Sequence, residues 1–149
     1  PLSITSCSKT VFDGFLSEEV YKGFFHAHTF SAHPLGCAAA LAGIDLLLSD
    51  EICERKEAIA RQHQQFLKLI ENHSKVKEAR TLGVILAIDL NVEMERYGNL
   101  RNELYQFFMQ RGVVLRPLGN TIYVLPPFVI TDEQLSKVYE VVKEALELF

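Results

Sequence analysis

The sequence has few cysteines, no excess of basic residues and no long hydrophobic run, and each shortage argues against a class of protein. The cysteines, Cys7, Cys37 and Cys53, are odd in number and lack metal-ligand spacing. We therefore expect reduced thiols in a cytoplasmic protein. A net charge of −4 gives no electrostatic footprint for nucleic acid. The longest apolar stretch, residues 36–48, is interrupted by Asp45 and is too short to cross a membrane.

What the sequence contains is typical of a globular domain with a core. Its 149 residues are 48% hydrophobic and 23% charged, which is an ordinary balance for a chain of this size. The sequence begins with proline, and residues 2–6 have the composition of a buried strand. We therefore expect a fragment of a longer protein.

Apolar periodicity predicts several helices. Residues 17–19 have the composition of a helix start, with acidic residues in the first turn. Pro34 fits the first turn of a continuous helix over residues 34–49, because its missing N–H costs nothing there. A second helix is predicted over residues 51–72, with Leu69 on its apolar face. A third helix ends at Gly112.

The predicted strands lie between these helices. An apolar run over residues 84–90 predicts a strand that is buried on both faces. Thr131 and Gln134 form a capping box that opens the last helix. We expect a small α/β layer in which a few mostly antiparallel strands have helices on one side.

Residues 116–127, RPLGNTIYVLPP, carry the most informative pattern in the chain. Gly119 and Asn120 form a turn signal between two apolar arms, residues 113–115 and 122–125. Arg116 is thus predicted to lie in a loop between two buried strands. Its planar guanidinium can donate two parallel hydrogen bonds to a carboxylate or a phosphate. The alternative role for such an arginine is a surface salt bridge.

A second motif, HAHTFSAHPLGCAAALAG, covers residues 26–43. Its histidines, His26, His28 and His33, have no accompanying acid or cysteine cluster and no His-Glu-x-x-His pattern, so we predict no metal site. Thr29 offers a hydroxyl and a backbone N–H, which are donors that suit a phosphate. Alternatively, Thr29 caps its own turn.

Together the two motifs resemble the C-terminal third of class III pyridoxal-phosphate aminotransferases, and the resemblance covers nearly the whole chain. It implies an α/β fold that comprises the C-terminal small domain of a fold-type-I pyridoxal-phosphate transferase and the tail of its large domain. Residues 1–49 would be the tail of the large cofactor-binding domain with the connecting helix. Residues 50–149 would be the C-terminal small domain.

The resemblance also implies roles for individual residues. Thr29 matches a threonine that contacts the cofactor phosphate of the neighbouring subunit, and His28 contributes backbone to the same loop. Arg116 matches the arginine that holds a substrate carboxylate. Tyr123 matches a tyrosine that lines the same pocket, although a core strand tyrosine is the alternative. Many members have asparagine at the position of His33, so the role of that histidine stays open.

Two further residues match a recurrent Arg-x-x-Gly of the family. We interpret Arg80 as structural, bracing the loop, and Gly83 as a residue that allows a backbone turn. No catalytic residue is identified, because the lysine that binds the cofactor covalently in the family has no counterpart here. Lys9 stands in a different motif. We therefore expect the chain to be inactive alone.

Tyr123 favours the biotin-synthesis branch of the family. The implied complete enzyme is a cytoplasmic homodimer that depends on pyridoxal 5'-phosphate. It would move an amino group from S-adenosylmethionine to 8-amino-7-oxononanoate, giving 7,8-diaminononanoate. Its partners would be small-molecule substrates, with no nucleic acid and no membrane. The alternatives are a class III member that acts on ornithine, acetylornithine or 4-aminobutyrate, and a non-catalytic structural or dimerisation fragment.

Overall fold

A computed structural model describes residues 2–92 and 98–149 of the chain. The chain divides into two compact units, Pro1–Ser49 and Asp50–Phe149. The assignment of these residues to a large-domain tail and a small domain stays a prediction. Within the described ranges, no helix is both long enough and apolar enough to span a membrane.

The first unit is mainly helix and loop, and none of its described residues is buried. Helix α1, Lys9–Asp13, is capped by Ser8, whose hydroxyl accepts the N–H of Val11. Helix α2, Pro34–Leu47, confirms the predicted helix to within two residues of its C-terminal end. The apolar side chains of this unit remain exposed because it has no core of its own.

Two predictions for the first unit are wrong. Residues 2–6 form no strand, because an alternation of apolar and hydroxyl side chains is not sufficient without a neighbouring strand to pair with. Residues 17–19 open no α-helix, and the chain forms only a single 3-10 turn over Val20–Lys22. The Ser17 hydroxyl accepts the N–H of Glu19, which satisfies the backbone locally.

The second unit is an antiparallel sheet packed with helices, as the sequence predicted. The elements in chain order are α3 (Asp50–Ile70), β1 (Val76–Leu82), β2 (Ile85–Leu90), α4 (Leu100–Gln110), β3 (Thr121–Val124) and α5 (Asp132–Leu148). The sheet order is β1-β2-β3, with both neighbouring pairs antiparallel. The connection from β1 to β2 turns at Gly83, whose φ of 55° confirms the predicted need for glycine.

One face of the sheet forms the core with the apolar sides of the helices. On β2, Leu86, Ile88 and Leu90 are buried, whereas Ala87 and Asp89 between them are only half-buried. The prediction that this strand is buried on both faces is therefore wrong in this chain. A continuous apolar run does not report which of its side chains meet a helix. The capping box of Thr131 and Gln134 is confirmed, since each side chain accepts from the backbone of the other residue.

A histidine takes part in this core. His63 is completely buried, and its spacing on α3 puts it on the same helix face as the buried Ile59, Phe66 and Ile70. The prediction for Leu69 is wrong, because that side chain is 69% exposed. The helix turns by about 100° per residue, so Leu69 and Ile70 cannot both face the core fully.

His63 is held by two hydrogen bonds. Its Nε2 lies 3.0 Å from the carbonyl oxygen of Val84, and its Nδ1 lies 2.7 Å from the hydroxyl of Tyr139. A carbonyl only accepts, so Nε2 carries the proton and Nδ1 accepts from the tyrosine. Burial lowers the pKa of His63 and raises that of Tyr139. The ring of Phe66 stacks on Tyr139 with centroids 4.3 Å apart.

Candidate functional site

The segment between α4 and β3 carries Arg116. Val113 and Leu115 are buried while Val114 and Arg116 are exposed, as expected for an extended chain on the edge of a core. The predicted first strand of the hairpin is wrong, because residues 113–115 pair with no strand. The second predicted strand is present as β3, but its partner is β2.

The predicted turn after Arg116 is present and firmly anchored. Leu118 and Thr121 exchange two backbone hydrogen bonds of 2.9 Å around Gly119, whose φ is 62°. Asn120 then fixes the turn to the end of β2. Its backbone oxygen accepts the N–H of Leu90, and its side-chain amide donates to the oxygen of Leu90, both at 2.9 Å. This anchoring limits the positions that Arg116 can reach.

Arg116 lines an open cleft of about 560 Å³ between its own segment and helix α4. The guanidinium is exposed, and no described residue forms an ion pair or a hydrogen bond with it. Its hydrogen-bond donors are thus available to a carboxylate or another anion. The lining consists of Arg101, Asn102, Tyr105, Gln106, Arg116 and Pro117.

Tyr123 lies on β3, on the face of the sheet that points away from the core. Its neighbours along the strand, Ile122 and Val124, are buried, whereas Tyr123 is half-buried beside Ala87 of β2. Tyr123 is not one of the residues that line the Arg116 cleft in this chain. A pocket shared by Arg116 and Tyr123 therefore stays a prediction.

A polar network next to Tyr123 holds the three strands together. The guanidinium of Arg80 on β1 lies 2.6 Å from Asp89 on β2, and the hydroxyl of Thr121 on β3 donates to the other oxygen of Asp89 at 2.7 Å. The hydrogen bond from Arg80, followed by the one from Thr121, lowers the pKa of Asp89. Arg80 is structural as predicted, but it connects strands and does not brace the following loop.

The loop with Thr29 belongs to the first unit. The N–H of Ser31 donates to the oxygen of His28, and the Ser31 hydroxyl accepts from the N–H of His28, which closes a tight turn. Thr29 lies exposed within that turn, and its hydroxyl bonds to none of the described residues. A free hydroxyl in a turn suits a phosphate, so the arrangement is compatible with the predicted role.

His33 and the other histidines of this loop have local partners. His33 caps helix α2, since its Nδ1 accepts the N–H of Gly36 at 3.3 Å. An asparagine at this position would be a favoured N-cap residue, so histidine performs the same local task here. The Nε2 atoms of His26 and His28 lie 3.3 Å apart. In the described ranges no group of three or more His, Cys, Asp and Glu side chains is placed to hold a metal ion.

Comparisons with known proteins show where this fold recurs. A protein-family model with the description "Aminotransferase class-III" matches residues 1–146. The adenosylmethionine-8-amino-7-oxononanoate aminotransferase of Synechococcus elongatus is 36% identical over 148 residues, which are 99% of this chain and 34% of that protein. The protein of the same name from Geobacter sulfurreducens is 37% identical over 145 residues, covering 91% and 32%. The chain thus spans about a third of the length of the curated relatives it matches.

Solved structures give the same result for the fold. The adenosylmethionine-8-amino-7-oxononanoate aminotransferase of Methanocaldococcus jannaschii matches with a TM-score of 0.75 and 26% identity, covering 90% of this chain and 33% of that one. An omega-aminotransferase from Paracoccus denitrificans also has a TM-score of 0.75, at 27% identity, covering 85% and 30%. The mixed helix and sheet fold is therefore that of part of a class III aminotransferase, which confirms the predicted fold class.

Proposed function

The chain belongs to the class III aminotransferase family, and from that membership we propose that it is the C-terminal part of an aminotransferase of biotin synthesis. The complete protein would move an amino group from S-adenosylmethionine to 8-amino-7-oxononanoate and give 7,8-diaminononanoate. Relatives with the corresponding name at 36% and 37% identity support this choice. A cytoplasmic location and a homodimer are part of the same proposal.

The observation that carries the proposal is the guanidinium of Arg116, which has no partner among the described residues and lies beside a cleft. The proposed acceptor ends in a carboxylate, and a guanidinium can bind a carboxylate through two parallel hydrogen bonds. Holding one end of a linear substrate restricts its orientation and lowers the entropic cost of reaction at the other end. We call Arg116 in this role the carboxylate clamp. The turn that Asn120 anchors to β2 fixes the backbone next to Arg116 relative to the sheet.

The cofactor of this family is pyridoxal 5'-phosphate, which serves as the electron sink for amino transfer when bound. In this chain Thr29 fits a role at its phosphate, because the hydroxyl is exposed in a tight turn and bonds to none of the residues that the structure describes. His28 contributes its backbone to the same turn. We propose that these residues hold phosphate and that the rest of the cofactor site comes from outside this chain.

Single-turnover kinetics of the complete protein that contains this chain would test the carboxylate clamp. Arg116→Ala should raise the barrier of the acceptor half-reaction by roughly 2–5 kcal/mol, the scale for removing one partner of a charge pair that the bound substrate buries in the complete protein. Arg116→Lys should recover only part of the loss, because an ammonium lacks the planar fork. Arg61→Ala is the matched control, since Arg61 is an exposed arginine that pairs with Glu57 on α3.

The fold should survive Arg116→Ala, because the side chain is exposed and contacts no described polar partner. A folded Arg116→Ala protein whose acceptor half-reaction is unchanged would contradict the clamp.

The second candidate function is that of a class III aminotransferase of different specificity. It is favoured by the omega-aminotransferase that matches the fold as well as the biotin-pathway enzyme does.

A further inference from the structure

We propose that Arg101 is a second anion-binding residue of the Arg116 cleft, so that two guanidinium groups hold the carboxylate of the substrate. This inference deepens the proposed function and rests on it. It concerns a residue of α4 to which neither sequence motif assigns a role.

The two arginines of the cleft differ from the other described arginines. Neither Arg101 nor Arg116 has an ion pair or a hydrogen bond to a described residue, and both line the same cleft. Each of the others has a carboxylate partner within 4 Å: Arg55 with Asp132, Arg61 with Glu57, Arg80 with Asp89, and Arg111 with Glu144. The two guanidinium groups without a partner among the described residues therefore line one and the same cleft.

The position of Arg101 follows from the periodicity of α4. Leu104, Phe107 and Phe108 bury one side of the helix. Arg101 and Tyr105 are four residues apart, so they lie on one face, and that face lines the cleft. Leu104 and Phe108 follow Arg101 by three and seven residues, so Arg101 lies at the margin of the buried side. Packing of that side against the core fixes the rotation of the helix and thereby places Arg101 at the cleft that Arg116 also lines.

The lining has the chemistry of an anion site. Among the described residues that line it there is no carboxylate, whereas two guanidinium groups, a phenol and two amides offer hydrogen-bond donors. Both guanidinium groups are positively charged, so each of them attracts an anion that enters the cleft. An aliphatic carboxylate also suits the neighbouring ring of Tyr105 and the apolar Pro117.

Direct binding of a simple carboxylate to the full chain tests this inference. The probe is octanoate, and its neutral amide is the control for purely apolar binding. The titration is followed by ¹H–¹⁵N spectra of the arginine Nε–H groups. In the unaltered chain, octanoate should shift the Nε–H signals of both Arg101 and Arg116, and both shifts should follow the same binding curve. The neutral amide should shift neither signal. Added salt should weaken binding, because the cleft is open to solvent.

Substitutions separate the contributions of the two arginines. Arg101→Ala should weaken octanoate binding by about fivefold, the scale for an exposed charged hydrogen bond. Arg116→Ala should weaken it at least as much, and the double variant should not saturate. Arg61→Ala, at an exposed arginine on α3, should bind like the unaltered chain.

Three results would contradict the two-arginine site, and each has a different consequence for the Arg116 clamp. If Arg101→Ala binds octanoate like Arg61→Ala while Arg116→Ala is weakened, the role of Arg101 is refuted and the Arg116 clamp stands. If Arg116→Ala binds normally, the shared site and the clamp are both refuted. If the unaltered chain shows no saturable binding, the two-arginine site is refuted, and the acceptor half-reaction of the complete protein still tests the clamp.

Discussion

The buried pair of His63 and Tyr139 predicts that the fold loses stability in mild acid. His63 is neutral in the folded core, where it accepts from Tyr139 and donates to the oxygen of Val84. Burial lowers its pKa below the ordinary value of 6.5. The unfolded chain therefore binds a proton at His63 more readily than the folded chain does. The stability that neutral His63 contributes is fully present above pH 6.5 and decreases as the pH falls toward the folded pKa.

The magnitude follows from the linkage relation. A single proton that is bound only by the unfolded state changes the free energy of unfolding by about 1.4 kcal/mol per pH unit. A small domain has a total stability of roughly 5–15 kcal/mol, so a change from pH 6.5 to 5 removes a measurable share. Asp89 and Asp132 have lowered pKa values, so their contributions are lost only below the ordinary value of 3.8. Between pH 5 and 7, the change in the free energy of unfolding therefore reflects mainly the titration of histidine.

Urea unfolding of the full chain between pH 5 and 7, followed by circular dichroism, measures this dependence. His63→Gln removes the titrating group but keeps a donor and an acceptor, so its stability should depend less on pH in this interval. His26→Gln is the matched control at an exposed histidine of the first unit, and it should keep the original dependence. If His63→Gln and the unaltered chain have the same slope, the reasoning is refuted.

Tyr139→Phe tests the hydrogen bond separately from the charge. The phenylalanine keeps the stack on Phe66 but leaves the Nδ1 of His63 without its donor. A buried acceptor without a partner costs about 1–3 kcal/mol of stability at pH 7. A variant that unfolds at the same urea concentration as the unaltered chain would show that this hydrogen bond contributes nothing.

Three other predictions concern the chain as a whole. The purified chain should not retain pyridoxal phosphate, because no cofactor-binding lysine has been identified; a yellow absorbance band that persists after dialysis would contradict this. The chain should self-associate, because the apolar side chains of the first unit, such as Phe12, Phe25 and Leu41, are exposed; sedimentation of a compact monomer would count against it. Thr131→Ala should lower the free energy of unfolding by about 1 kcal/mol, since the capping box at α5 is lost; an unchanged urea midpoint would mean that the cap is dispensable.

Local signals in the sequence predicted the long helices well, although not the short helix α1 or the 3-10 turn of the first unit. Pro34, Gly83 and the pair of Thr131 and Gln134 act through backbone conformation and hydrogen bonds within a few residues, so their effects can be read without the rest of the fold. The boundaries of α2 and α3 agree with the predictions to within two residues.

The errors concern properties that distant residues decide. The partner of a strand is not encoded by the strand alone, so residues 113–115 did not become the partner of β3. Which residues of α3 face the core depends on where the sheet and α5 lie, so His63 was missed and Leu69 was misplaced.

The candidate site shows the same division between local and distant information. Arg116 could be identified from the turn, the prolines and the family motif that surround it in the sequence. Arg101 precedes it by fifteen residues on another element and belongs to no motif. Leu104 and Phe108 follow Arg101 by three and seven residues, so the spacing alone places Arg101 at the margin of the buried side of α4. Only the folded chain shows that this margin borders Arg116.

The measurement that tests the central proposal most directly is amino transfer by the complete protein that contains this chain. With S-adenosylmethionine as donor and pyridoxal phosphate present, 8-amino-7-oxononanoate should be converted to 7,8-diaminononanoate, and Arg116→Ala should lose most of that rate. Ornithine, acetylornithine and 4-aminobutyrate should be poor amino donors. Efficient transfer from one of these three, with no product from 8-amino-7-oxononanoate, would contradict the assignment to biotin synthesis.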